Sequence, residues 1–157
     1  MLTKFFGTIW RYLPGAVRRR VVRLGQGRFT VTAGALVFDD EGRILLLEHV
    51  FRPDSRWGIP GGFLSKGEQP EVALRRELRE EVALEVSDVQ FLFARTLPRL
   101  RQVEIYFLCK PDGVPSPSSF EIMKAEWYTT DNLPPDLSQD QRRIIKRALD
   151  VRKNSAA

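Results

Sequence analysis

The 157-residue chain has one cysteine, Cys109, and one histidine, His49. A single cysteine excludes an internal disulfide and any zinc-finger pattern, and a reducing cytoplasm is the expected setting. A single histidine excludes an HExxH motif and any pair of histidine ligands. A Ser-His-Asp triad would have to run through His49, and no GxSxG segment accompanies it. No apolar run approaches the ~20 residues of a membrane span. The first residues also lack the charged-then-apolar order of a secretory signal. Acidic residues are missing from positions 1–28, which carry Lys4, Arg11, Arg18, Arg19, Arg20, Arg23 and Arg28. Of the chain's 25 basic and 20 acidic residues, 18 basic and all 20 acidic ones therefore lie beyond residue 28, a net charge of −2 there against +5 overall. The basic character belongs to an N-terminal arm.

The rest is ordinary globular sequence, 43% hydrophobic and 29% charged, long enough for one domain. Leu2, Phe5, Phe6, Ile9, Trp10 and Leu13 form a helical stripe that Pro14-Gly15 breaks. A short basic segment, 16–24, follows, and Gly25 and Gly27 act as a hinge. Strands are expected over 29–38, 43–50, 86–95, 102–109 and 125–129. The run Ile44-Leu45-Leu46-Leu47 predicts a central strand buried on both faces. Residues 51–62 read as a loop, 69–82 as a helix, and 138–151 as a C-terminal helix capped by Ser138 or Asp140. The domain reading is an arm over 1–27, a domain over 28–152 and a frayed tail over 153–157. Mixed strands with two separated helices indicate a layered α/β (α+β) sandwich.

The densest chemistry lies on the helix over 69–82. Glu77, Glu80 and Glu81 stand at i, i+3 and i+4 and share one arc. Like charges this close repel, so a compensating positive charge is expected. Hard oxygen ligands suit Mg²⁺ or Mn²⁺. Upstream, Gly61-Gly62 gives a turn without Cβ atoms, where backbone can approach a ligand closely. A divalent ion there would neutralise phosphate oxygens and acidify a bound water, and a nearby Glu would take its proton. A surface helix rich in Glu and Arg pairs is the simpler alternative, and the spacing to Gly62 and Glu68 argues against it.

Gly62, Glu68, Arg76, Glu77, Leu78, Glu80, Glu81 and Leu84 match a 23-residue pattern: Gly, five residues, Glu, seven residues, then Arg-Glu-apolar-x-Glu-Glu-x-Gly-apolar. This segment resembles the signature of the Nudix hydrolases. It departs once, with Ala83 where the family usually has Gly; if that position needs a positive φ, Ala costs about 1 kcal/mol. Trp57 to Gly62, Glu126-Trp127-Tyr128 and Leu133-Pro134 also resemble the family. The resemblance implies an α/β/α sandwich around a mixed sheet. It implies Mg²⁺-dependent (or Mn²⁺-dependent) hydrolysis of a diphosphate bond in a nucleoside diphosphate linked to another moiety, such as ADP-ribose, a nucleotide sugar or a nucleoside triphosphate. Glu77, Glu80 and Glu81 would supply metal ligands or the base, Gly61 or Gly62 a carbonyl ligand, and Glu68 with Arg76 the ion pair that orients the glutamates.

Further candidates are weaker. Glu121 is similar in place to an extra loop glutamate of many Nudix enzymes, with a solvated carboxylate the alternative. Trp57 is either a stacking surface for a base or an apolar plug under its loop. Arg52 is a candidate phosphate contact or a solvated loop arginine. Pro98 falls about where ADP-ribose-hydrolysing members carry a proline. His49 and Cys109 read as structural. The arm either packs its stripe on the domain or on a second subunit, or lies on an anionic membrane. Nothing in it suggests sequence-specific nucleic-acid reading. Three other function classes stay open: a non-catalytic nucleotide sensor on the same scaffold, an isomerase needing a catalytic cysteine, and a membrane-peripheral protein.

Overall fold

The structure, a computed structural model, describes residues 10–52 and 55–155. Most of the N-terminal stripe (Leu2, Phe5, Phe6, Ile9) lies outside these residues. Residues 10–12 are helical, the chain bends at Leu13-Pro14, and α1 runs Gly15–Gly25. The strands are β1 (Thr30–Val37), β2 (Ile44–His49), β3 (Trp57–Gly58), β4 (Gly61–Phe63), β5 (Glu85–Leu97), β6 (Gln102–Asp112) and β7 (Ile122–Tyr128). Between them lie α2 (Pro70–Val82) and a 3₁₀ turn (Pro98–Leu100), and α3 (Gln139–Ser155) follows β7. The last helix therefore continues beyond the expected end at Val151. No helix among the described residues is long and apolar enough to cross a membrane.

Two sheets form, ordered β4-β1-β6-β5 and β3-β2-β7. β1 runs parallel to β6, from Thr30 opposite Gln102 to Val37 opposite Cys109, and antiparallel to β4, so the larger sheet is mixed. Period-2 alternation sends the two faces of β1 and β2 into different cores. Ala33, Ala35, Val37, Leu45 and Leu47 pack with Ala73, Leu74, Leu78 and Val82 of α2. Leu36, Phe38, Ile44 and Leu46 pack with Ile144, Ile145 and Ala148 of α3. A helix thus covers each face, which makes an α/β/α sandwich. It also explains why Ile44–Leu47 has no polar residue: each of the four is fully buried.

α2 begins with Pro70 in its first turn, where the missing N–H costs nothing. It ends at Ala83, which adopts the left-handed conformation (φ 51°, ψ 31°). There the Ala83 amide donates to the carbonyl of Arg79 and the Leu84 amide to that of Leu78. α3 is capped by Ser138, whose hydroxyl oxygen accepts from the Gln141 amide at 3.2 Å. Asp140, the other expected cap, is drawn instead to Arg95.

Candidate active site

The site is assembled where β4, α2 and two loops meet. β4 approaches β1 so closely that Gly61 (φ +141°) has no room for a Cβ, which would collide with the Ala33 carbonyl. At Gly62 a Cβ would stand 2.7 Å from Glu77 Oε2. The glycine pair is therefore required twice, by backbone against β1 and by a carboxylate seated on Gly62.

Arg76 organises the carboxylates. It forms a bidentate pair with Glu68, Nε to Oε1 at 2.9 Å and Nη2 to Oε2 at 3.0 Å. Its Nη1 donates to Glu77 Oε1 at 2.9 Å and to Glu80 Oε2 at 3.1 Å, and its Nη2 also reaches the Phe63 carbonyl. The Ser65 amide donates to Glu68 at 2.8 Å. The hydrogen bonds from Arg76 and Ser65 hold the Glu68 carboxyl down at about 2. The positive charge expected among the glutamates is thus Arg76.

The three signature glutamates do not share one fate. Glu81 turns into the cleft and accepts from the Gly61 amide at 3.2 Å. Burial, with Glu77 and Glu121 adding like charge, pushes its carboxyl up to about 7. Glu77, whose side chain is 17% exposed, lies beneath Gly62. The Glu80 side chain is 60% exposed and paired with Arg76. A recess of about 320 Å³ is lined by Glu77, Glu81, Gly61, Gly62, Arg52 and Glu121, with His49, Phe51 and Phe63 at its edges. Glu80 is not among its walls.

Glu121 arrives from the loop before β7. That loop is tied to the end of α2: Ser116 and Ser118 amides donate to the carbonyls of Val82 (2.8 Å) and Glu81 (2.9 Å), and the Ser118 hydroxyl donates to that of Glu80 (2.7 Å). These bonds satisfy carbonyls that a helix end leaves without partners. Trp57 is placed otherwise. It is buried and meets Tyr128 edge-on, ring centroids 5.1 Å apart, within the core beside α3. It lines neither recess, so the structure gives it the position of the apolar plug.

A second recess of about 230 Å³ shares Arg52, Gly61, Gly62 and Phe63 with the first. Thr32, Gln102, Glu104, Tyr106 and Gln141 give it polar walls. Behind them Arg95 joins Glu104 (2.6 Å) to Asp140, and the Gln141 side chain accepts from the Ile59 amide at 2.7 Å. These residues were not singled out from the sequence. The available signal was the alternation Gln102, Glu104, Tyr106, which puts polar groups on one face of a strand. His49 also escaped notice as a cleft residue. It is buried, its Nε2 has no hydrogen-bond partner among the described residues, and burial beside Arg52 lowers it to about 4. Cys109 is buried and pushed up to about 12, which leaves no reactive thiolate for an isomerase.

Among the described residues, no three acidic, histidine or cysteine side chains close into a metal cage. The donors lining the recess are the carboxylates of Glu77, Glu81 and Glu121 and the backbone of Gly61 and Gly62, with the His49 imidazole beside them. Mg²⁺ keeps several waters and takes one or two carboxylates beside substrate phosphates, so this donor set fits it. Burial is the main cause of the upward displacement of Glu81, and a cation would offset the like charge that Glu77 and Glu121 add to it.

A family model described as the NUDIX domain matches residues 28–148. The chain is 36% identical over 100 residues to a protein named NAD-capped RNA hydrolase NudC from Mycobacterium tuberculosis, a match covering 62% of this chain. It spans about a third (32%) of that relative's length. Among solved structures, the MutT NUDIX hydrolase of Burkholderia pseudomallei superposes with a TM-score of 0.69 at 26% identity, covering 77% of this chain and 98% of that one. The NUDIX domain of Shewanella oneidensis NrtR, solved with ADP ribose, superposes at 0.71 over 88% of this chain and 98% of its own, and at 19% identity it speaks to the fold alone. Family model, fold and the seating of the signature residues agree, and the chain belongs to the Nudix hydrolase family.

Proposed function

We propose that residues 28–152 form a pyrophosphohydrolase domain that cleaves the diphosphate bond of a nucleoside diphosphate linked to another moiety. The observation that supports this most directly is the shared recess. Glu77 and Glu81 from α2 and Glu121 from a distant loop face the same space as Gly61, Gly62 and Arg52. Glu77, Glu81 and the backbone at Gly61 and Gly62 would hold Mg²⁺ (or Mn²⁺), with Glu121 a further ligand or the base. When bound, the ion neutralises phosphate oxygens and acidifies a water.

The chain's own groups do the rest. Arg76 fixes Glu77 while Glu68 fixes Arg76. The Gly61 amide orients Glu81, and a cation held there would draw its carboxyl, near 7 without one, back down. Arg52 stands between the two recesses, suited to a phosphate oxygen. Two recesses meeting at Arg52 suit a two-part substrate, the diphosphate in one and a polar moiety against Gln102, Glu104 and Gln141 in the other. ADP-ribose and NAD-type dinucleotides have this shape, and the mycobacterial relative is named for NAD-capped RNA.

The test is a hydrolysis screen with Mg²⁺ and Mn²⁺ over ADP-ribose, dinucleotides, nucleotide sugars and nucleoside triphosphates, with product identification. Release of two monophosphate-bearing products supports the reading. Ligand binding without turnover across the panel would replace it with a nucleotide sensor. Within an active enzyme, Glu81→Gln should lower kcat by about 10²-fold or more, the scale of a lost general base. Glu80→Gln, altering a residue paired outside the recess, should cost less. Equal losses in both would refute the division of roles between them.

A further inference from the structure

α1 packs on nothing: among the described residues none of its side chains is buried. Its chemistry is nonetheless sorted by side. At 100° per residue, Val17, Val21 and Leu24 fall within a 60° arc, and Arg19, Arg20 and Arg23 fall within a 100° arc on the other side. Arg18 and Arg20 flank the apolar arc. Val17, Val21 and Leu24 are 42%, 48% and 78% exposed, so this arc faces solvent, while Val22 and Trp10 lie on the other side with Arg18, Arg19 and Arg23. Among the described residues, none of Arg11, Arg18, Arg19, Arg20, Arg23 and Arg28 pairs with a carboxylate.

Three occupants compete for this helix, and charge decides among them. A second copy would bring another arm of seven basic and no acidic residues against the first, and like charges repel. A nucleic acid would satisfy the arginines and leave the apolar arc in water. An anionic bilayer satisfies both: Val17, Val21 and Leu24 enter the acyl boundary while the flanking Arg18 and Arg20 reach the phosphate groups. The remaining chain, at a net −2, is opposite in sign to the arm, yet among the described residues none of its carboxylates pairs with an arginine of α1.

We propose that α1 is a docking helix for an anionic membrane surface, lying in the interface plane and holding the hydrolase domain beside the bilayer. The proposal does not depend on which nucleotide the domain cleaves. Each basic side chain near such a surface contributes about 1 kcal/mol, a factor of about five in partitioning.

The experiment is co-sedimentation of the full chain with phosphatidylcholine vesicles, with and without phosphatidylglycerol. The chain should pellet only with the anionic vesicles, and less so as salt is raised. Replacing Arg18 and Arg20 by Gln should weaken partitioning about 25-fold, two such factors. The double variant Val17→Asp, Val21→Asp should abolish it. Far-UV circular dichroism and hydrolysis of a soluble substrate should be unchanged in both, because α1 lies outside the cleft. No pelleting with phosphatidylglycerol overturns the proposal, as does binding that the aspartates leave intact. A dimer in solution dispersed by Val21→Asp, with no vesicle binding, would give the face to a second copy. Single-stranded RNA binding that survives the aspartates, with no vesicle binding, would give it to nucleic acid.

Discussion

At the residue scale, the departure of Ala83 from the signature has a physical cost that the structure makes explicit. Its φ of 51° is a conformation glycine adopts freely and alanine does not. Ala83→Gly should therefore raise stability by about 1 kcal/mol in urea unfolding while leaving kcat unchanged, since Ala83 touches no cleft residue. An unchanged midpoint would mean the cap is not strained. Glu68 gives a second handle. Its carboxyl is held at about 2 against an ordinary 4.5, so its contribution is fully present above about pH 4.5 and is lost as pH falls towards 2. Glu68→Gln should flatten the acid limb of a stability-versus-pH curve in that window. An acid limb identical to the parent's would remove Glu68 from the stabilising set. Spacing alone made the glutamate cluster legible. It did not reveal that Glu80 pairs with Arg76 while Glu81 accepts from the Gly61 amide, because both contacts form only in the folded chain. Trp57 was ambiguous for a similar reason: a tryptophan in a loop reads alike whether it plugs a core or meets a ligand, and only the neighbouring Tyr128 decides.

At the scale of elements, the tie between the end of α2 and the loop over 113–121 matters most. The Ser118 hydroxyl and amide hold the loop to the carbonyls of Glu80 and Glu81, three residues before Glu121. Ser118→Ala should cost about 1 kcal/mol of stability, the scale of one hydrogen bond. It should also lower kcat through misplacement of Glu121. In a Glu121→Gln background the same substitution should have no further effect on kcat, which a double-mutant cycle measures. Additive losses would uncouple the two residues. In sequence this loop carries only two prolines, Pro115 and Pro117, and a run of serines, with nothing to show the tie. β3 and β4 fall almost wholly in the expected loop over 51–62, since two- and three-residue strands built of Trp, Gly and Phe have no alternation to detect. The longer strands and α2, with sustained periodicity, were read within a few residues of their bounds.

At the scale of the whole molecule, the double-faced burial of Ile44–Leu47 predicted the central strand, and the sandwich follows from it. The pairing of recesses did not show, because Gln102, Glu104 and Gln141 come from elements that meet only in the folded chain. If the first recess takes a divalent ion, binding should stabilise the whole fold: at about 100 times its Kd an ion adds about 2.7 kcal/mol. That corresponds to a rise in Tm of roughly 5–10 °C for a chain of this size. Differential scanning fluorimetry with Mg²⁺ should show the rise in the parent and a much smaller one in the Glu77→Gln, Glu81→Gln pair. An equal rise in both would place the ion elsewhere. The parallel pairing of β1 with β6 has a consequence of another kind. The two strands lie about 70 residues apart in sequence, so β1 has to wait for the chain between them before its second edge closes. During synthesis the glycine strand and the glutamate helix emerge before β6. The glycine and α2-carboxylate wall of the first recess can thus be roughed out early, Gln102, Glu104 and Tyr106 follow with β6, and Glu121 and Gln141 complete the two recesses last.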